Sequence, residues 1–183
     1  MPHPNSPSAL VLIFNGVEEM EAVAPIDILR RAELQVTVAS LSGQDCITGR
    51  NGIKIVPDTH LGAVDPTVFD LFVLPGGPGV FDLVDNPSLR EILSTRASSN
   101  LLTAAICAAP KVLAAAGLLK DRHATSHLSV AADIPNRIDD PVVVDGPFVT
   151  SQGAGTATQF ALRLAALLAS QEKADEISKS IHA

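Results

Sequence analysis

One cysteine in this chain stands where chemistry could be done. In "LLTAAICAAPKVLAAAG", residues 101–117, Cys107 falls where a short apolar run stops and an alanine-rich run begins. An apolar strand running straight into a helix makes a sharp turn that holds a nucleophile clear of the sheet, provided that the residues two positions to either side are small. Here they are Ala105 and Ala109. Pro110 suits a first helical turn, where its missing N–H is no loss. A helix N-terminus against the sulfur favours thiolate. A cysteine in such a run also reads as a small buried hydrophobe, and the run alone leaves both readings open. "DLFVLPGGPG" ends in Gly76, Gly77, Pro78 and Gly79, whose backbone N–H groups could receive an oxyanion together with the N–H of Ala108. The plain alternative is a glycine turn. No Gly-Lys-Ser/Thr follows, so it is not a phosphate-binding loop.

A reactive cysteine needs a proton partner. Glu18, Glu19 and Glu21 open the helical stretch after "ALVLIFNG", and acids in a first turn complement the helix dipole without further function. They are expected on a solvated face. Glu21 differs because Pro25, four residues on, clashes with its carbonyl, and a kink there could turn Glu21 inward. A carboxyl in an apolar pocket beside Cys107 would have a raised pKa and could exchange a proton. Of the five histidines, His127 in "ATSHLS" is the candidate base for Cys107. His123 and His127 are four apart, but "HATS" looks extended and has no third ligand nearby, so no metal site is expected. "SQGAGT" lacks the third glycine of a dinucleotide site, and no organic cofactor is expected.

These groups must be positioned by the elements between them. Apolar, β-branched runs ("ALVLIF", "QVTVAS", "DLFVLP", "LLTAAI") alternate with helical patterns ("EEMEAVAPIDILRRA", "SLREILSTRASS", "APKVLAAAG"). That alternation predicts an α/β fold with a largely parallel sheet and helices on both faces. The segment from Cys46 to Asp58, broken by Gly49 and Gly52, reads as a small peripheral hairpin. "PVVVDGPFVTSQG" reads as two strands around an Asp145-Gly146 turn, and "GTATQFALRLAALLASQ" as the longest helix. In a sheet of this kind ligands sit outside the carboxyl ends of the strands, where several loops converge.

The bulk numbers bound the rest. Of 183 residues 46% are hydrophobic and 18% charged, without a low-complexity tract, which predicts one folded domain over residues 1–183 with 1–8 frayed. A net charge of -7 argues against nucleic acid or anionic lipid as main partner. The start lacks a basic segment and its apolar run is short, so no leader or membrane span is expected and the location is read as cytoplasmic. Cys46 and Cys107 are then free thiols.

Taken together, "GVEEMEAVAPIDILRRA", "FVLPGGPG", "AAICAAPKVLAAAGLL", "ATSHLS" and "TSQGAGTATQFALRL" resemble the DJ-1/ThiJ/PfpI superfamily, over about residues 9–172 and within it the DJ-1 and bacterial ThiJ-like branch. The resemblance implies a flavodoxin-like three-layer sandwich and a homodimer. It implies that Cys107 is the reactive cysteine, Glu21 the carboxylic acid beside it, His127 the neighbouring histidine, and Gly77 and Ala108 the backbone donors. The implied activities are cofactor-free conversion of methylglyoxal to lactate (glyoxalase III), deglycase action on glyoxal adducts, and redox-sensing or chaperone roles in oxidative stress. Peptidase or small-molecule hydratase chemistry is a weaker implication. The branch's arginine near the hairpin falls on Asn51, with Arg50 one residue away, and the tail after Ile177 is short.

Overall fold

The computed structural model describes residues 6–183. Its elements follow the predicted alternation: β1 (Ser8–Ile13), α1 (Glu19–Arg31), β2 (Gln35–Ser40), β3 (Ile47–Thr48), β4 (Lys54–Ile55), β5 (Thr59–His60), β6 (Leu71–Leu74), α2 (Pro87–Ser98), β7 (Leu102–Ile106), α3 (Pro110–Ala115), β8 (His123–Ala124), β9 (Asn136–Arg137), β10 (Val142–Asp145), β11 (Phe148–Ser151), α4 (Ala157–Leu168) and α5 (Gln171–Ile181). Seven strands form one sheet in the order β10-β11-β7-β6-β1-β2-β5. Every neighbouring pair in it is parallel except the β10–β11 edge hairpin. With helices around it, this is the flavodoxin-like sandwich.

The central strands are apolar throughout because both of their faces are covered. Leu10, Val11, Leu12, Phe72, Val73 and Leu74 are fully buried. Helix α1 packs on α4, and α4 on α5. The β3–β4 pair is the peripheral hairpin. Of the start expected to fray, Ser8 is already paired in β1 and is held by Asp70 through N–H and hydroxyl at 2.7 and 3.0 Å, while residues 1–5 lie outside the described ones. The stretch expected to hold the longest helix splits into a 3-10 turn (Ala154–Thr156) and α4. Helix α1 is longer than α4 by one residue, 13 against 12.

The connection leaving β1 builds β2 on one side, and the later β6 is added on the other. The carboxyl ends of β1 and β6 therefore flank the switch point at which such sheets open a crevice. Cys107 follows β7, next to β6 in the same parallel set.

Candidate active site

Cys107 is the first residue after β7 and has a left-handed backbone, φ 66°. A side chain there is strained by about 1–3 kcal/mol, and surrounding bonds must hold it. They do: its N–H donates to Ser151 O (2.9 Å), its carbonyl accepts from His127 N–H (2.8 Å), and Ala109 N–H closes the turn on Ile106 O (3.1 Å). Ala105 and Ala109 are fully buried, as the sharp turn requires. Gly76 is forced as well, since a Cβ there would stand 2.7 Å from both Cys107 Cβ and Glu21 Oε2.

Glu21 is fully buried. Its phase explains this without a kink: α1 is continuous through Pro25, and Glu21, Ala22, Pro25, Ile28 and Leu29 make its inner face. Glu21 Oε2 accepts the Gly76 N–H at 2.9 Å. Oε1 is buried with no nitrogen or oxygen partner, and the carboxyl meets the sulfur of Cys107. Burial outweighs the bonds from Cys107 and Gly76 and raises Glu21 to about 7.

The thiol answers the same surroundings. Burial first, then the charge and bond of Glu21, push Cys107 up to about 12, while the backbone N–H groups of Ala108 and Gly77 pull the other way. The expected lowering by a helix terminus is thus overridden: α3 has only six residues, and burial of the sulfur, followed by the carboxylate beside it, counts for more. Once either group is an anion, it opposes loss of the proton from the other.

His127 is exposed. Its ring makes its hydrogen bonds with Ser129, not with Cys107: Nδ1 accepts the Ser129 N–H at 3.2 Å and lies 2.8 Å from Ser129 Oγ. The neutral ring therefore carries its proton on Nε2. Its Cδ2 edge turns toward Gly153, where a methyl group would stand 3.9 Å from Cys107 Sγ, 3.9 Å from Glu21 Oε1 and 3.7 Å from His127 Cδ2. Cysteine, acid and histidine thus surround one atom-sized point, walled by a residue whose lack of side chain leaves it open. Gly153 was not singled out as a site residue from the sequence. Its signal there is position, a glycine just past the carboxyl end of β11, beside β7.

Glu18 and Glu19 correct the expectation of a solvated acidic face. Both are buried, 6% and 3% exposed. Glu18 caps α1 by accepting the Glu21 N–H at 2.9 Å, and its own N–H donates to Gly76 O at 3.0 Å, so Glu18, Glu21 and Gly76 are tied in a ring. Glu19 holds the hairpin, accepting from Asn51 N–H (2.7 Å), Asn51 Nδ2 (3.0 Å) and Ile53 N–H (3.4 Å). Asn51 is thereby committed to Glu19, and it is Arg50 whose charge acts on Glu21, favouring its ionised form. Cys46, by contrast, is an exposed free cysteine. No cluster of three metal-ligating side chains occurs among the described residues.

The DJ-1/PfpI family model matches residues 7–167. The chain is 42% identical to the protein dj-1beta of Drosophila melanogaster over 181 residues, 96% of this chain and 97% of that one. It is 37% identical over 179 residues to the glutathione-independent glyoxalase DJR-1.2 of Caenorhabditis elegans, with 95% of each covered. The crystal structure of Drosophila DJ-1beta superposes with a TM-score of 0.92 at 41% identity, covering 96% and 97% of the two chains. The structure of oxidized Toxoplasma gondii DJ-1 gives 0.91 at 33%, covering 96% and 98%. Sequence, fold and matched length agree, and the chain belongs to the DJ-1/PfpI family.

Proposed function

We propose that this chain is a cofactor-independent glyoxalase III-type enzyme that converts methylglyoxal to lactate, with glyoxal adducts as a second substrate class. The observation that carries the reading is the convergence of the Cys107 sulfur and the buried Glu21 carboxyl on the open point beside Gly153. An enzyme working without glutathione must supply its own thiol, and the similar nematode protein is named for that independence.

The chemistry follows from one shared proton. Glu21 takes the thiol proton and the sulfur adds to the aldehyde carbon; the carbonyl electron pair moves to oxygen, which receives the proton from Glu21, giving a hemithioacetal. Gly77 and Ala108 N–H groups steady the anionic stages. Glu21, ionised again, removes the C1 hydrogen and returns it to C2, while the C1 hydroxyl proton passes to the C2 oxygen, so that C1 becomes the thioester carbonyl and the former ketone an alcohol. His127, whose Cδ2 edge faces the same point, assists at oxygen through Nε2–H in this reading. Water then cleaves the thioester, the sulfur regains a proton and lactate leaves. C1 is oxidised as C2 is reduced, so no outside electrons are needed.

The test is methylglyoxal consumption with lactate formation. Cys107→Ser should abolish turnover, and Glu21→Gln should lower it by about 100-fold or more. Exposed Glu91, replaced by Gln, is the neutral control. Equal turnover in Glu21→Gln and wild type would remove Glu21 from the mechanism.

A second reading is a redox sensor acting through a Cys107 sulfinate. Its support is that Cys107 is only partly buried, that a Glu21 carboxyl with a pKa of about 7 can donate to a sulfinate oxygen, and that a similar structure was solved oxidized. Limiting peroxide should place oxygen on Cys107 before Cys46, read by peptide mass; the reverse order counts against it. For either role we propose a homodimer, its contact the apolar groove of about 670 Å3 along α1 and the hairpin, where Met20, Val23 and Ile53 are 59%, 47% and 57% exposed.

A further inference from the structure

A cleft of about 410 Å3 opens beside His127, lined by Ser126, Leu128, Arg137, Asp139, Pro141 and Gln152 as well as His127 itself. The mechanism above does not use it. Gln152 precedes Gly153, so the cleft adjoins the point where Cys107 and Glu21 meet. Within it, two donors from separate segments converge on one carboxylate oxygen: Arg137 Nη2 lies 3.1 Å and Gln152 Nε2 2.9 Å from Asp139 Oδ1.

The partners are held unequally. The Arg137 side chain is 16% exposed and its Nη2 also donates to Ser126 O at 3.3 Å, whereas the Asp139 side chain is 80% exposed. Arg137 Nε is buried with no hydrogen-bond partner. Among the described residues this guanidinium, with its unmet donor, is paired only with a solvated carboxylate, and an ion pair so exposed contributes little. Arginine presents a planar fork suited to carboxylates. Asp139 therefore stands where the carboxylate of a ligand would bind.

We propose that this cleft is a substrate subsite, in which Arg137 and Gln152 bind a carboxylate at the far end of a 2-oxoaldehyde after Asp139 swings out. The reactive end lies at Cys107, so the inference rests on the proposed reading of that residue. The probe is 4,5-dioxopentanoate, a 2-oxoaldehyde with two methylenes between ketone and carboxylate. Its product, by the same internal transfer, is 2-hydroxypentanedioate.

The experiment compares kcat/KM for 4,5-dioxopentanoate and methylglyoxal in wild type, Arg137→Leu and Asp139→Asn. The wild type should favour the anionic substrate by about 10-fold. Arg137→Leu should cut that ratio by about 10-fold, mainly through KM, and Asp139→Asn should raise it because the internal competitor is gone. Opposite signs in two adjacent variants are not produced by loss of folding. No wild-type preference, or a ratio unmoved in Asp139→Asn, overturns the subsite. Calorimetric titration with 2-hydroxypentanedioate and with lactate separates the two readings: tighter binding of the former, weakened in Arg137→Leu and strengthened in Asp139→Asn, upholds the subsite even without turnover, and equal binding overturns it.

Discussion

Glu21 shows how far a single residue's chemistry departs from its sequence neighbourhood. The same acidic turn holds three glutamates, yet one caps the helix, one anchors a hairpin and one meets the cysteine. Burial gives Glu21 a pKa of about 7 against an ordinary 4.5, so between these values the folded state holds a proton that the unfolded chain has released. Stability from this group is complete below about 4.5 and is lost as pH rises through about 7. Glu21→Gln removes the titration. Denaturant unfolding should show the variant gaining on wild type, on the order of 3 kcal/mol between pH 4.5 and pH 8; a pH-independent difference would contradict the burial argument. Gly153→Ala tests the open point directly. Its backbone is extended, φ 162°, and the new contacts of 3.7–3.9 Å are ordinary, so folding should hold while turnover falls by about 10- to 100-fold as the methyl displaces substrate.

At the scale of elements, the carboxyl ends of the strands deliver the site and the opposite, amino ends of β6 and β7 are braced by Arg96, whose importance the pattern "SLREILSTRASS" does not announce. It lies in the last turn of α2, fully buried. Nη1 donates to Pro66 O (2.6 Å) and Phe69 O (2.9 Å), Nη2 to Leu102 O (2.6 Å) and Nε to Thr103 Oγ1 (3.3 Å). One guanidinium thus joins the loop before β6, the start of β7 and α2. Desolvation lowers it to about 10, still charged at neutral pH, and carbonyl dipoles replace its water. Arg96→Met should cost about 3 kcal/mol or more in denaturant unfolding, because the carbonyls lose their donors. Arg96→Lys should recover only part, lacking the fork. Equal stability of Arg96→Met and wild type would show the brace to be redundant.

For the whole molecule, the proposed dimer requires a face suited to a second copy. Among the described residues no helix is long and apolar enough to cross a membrane, and Met20, Val23 and Ile53 are exposed. An apolar groove on a charged chain points to a protein contact. Val23→Glu should convert a two-chain species to a single chain by light scattering at micromolar concentration, because it places a charge in the contact. Wild type running as a single chain would refute the dimer.

The sheet was legible because fully apolar strands such as "ALVLIF" and "LFVL" and helices with a 3.6-residue period carry their own signal. Cys107 was legible because a strand-to-helix turn flanked by alanines is a local pattern, and together with the other motifs it resembled a family. The two-residue β5, β8 and β9 were not, being defined by their partners rather than by any run of their own. Helix α5 went unread because its apolar face is narrow, Ala174, Ile177 and Ile181 in an otherwise polar run, and its packing on α4 is a tertiary contact. The burial of Glu18 and Glu19, the commitment of Asn51 to Glu19, and the meeting of Glu21 with Cys107 across 86 residues are decided by tertiary structure. Charge, solvation and pKa depend on what surrounds a group in space, and that follows from sheet order, not from the neighbours in the chain.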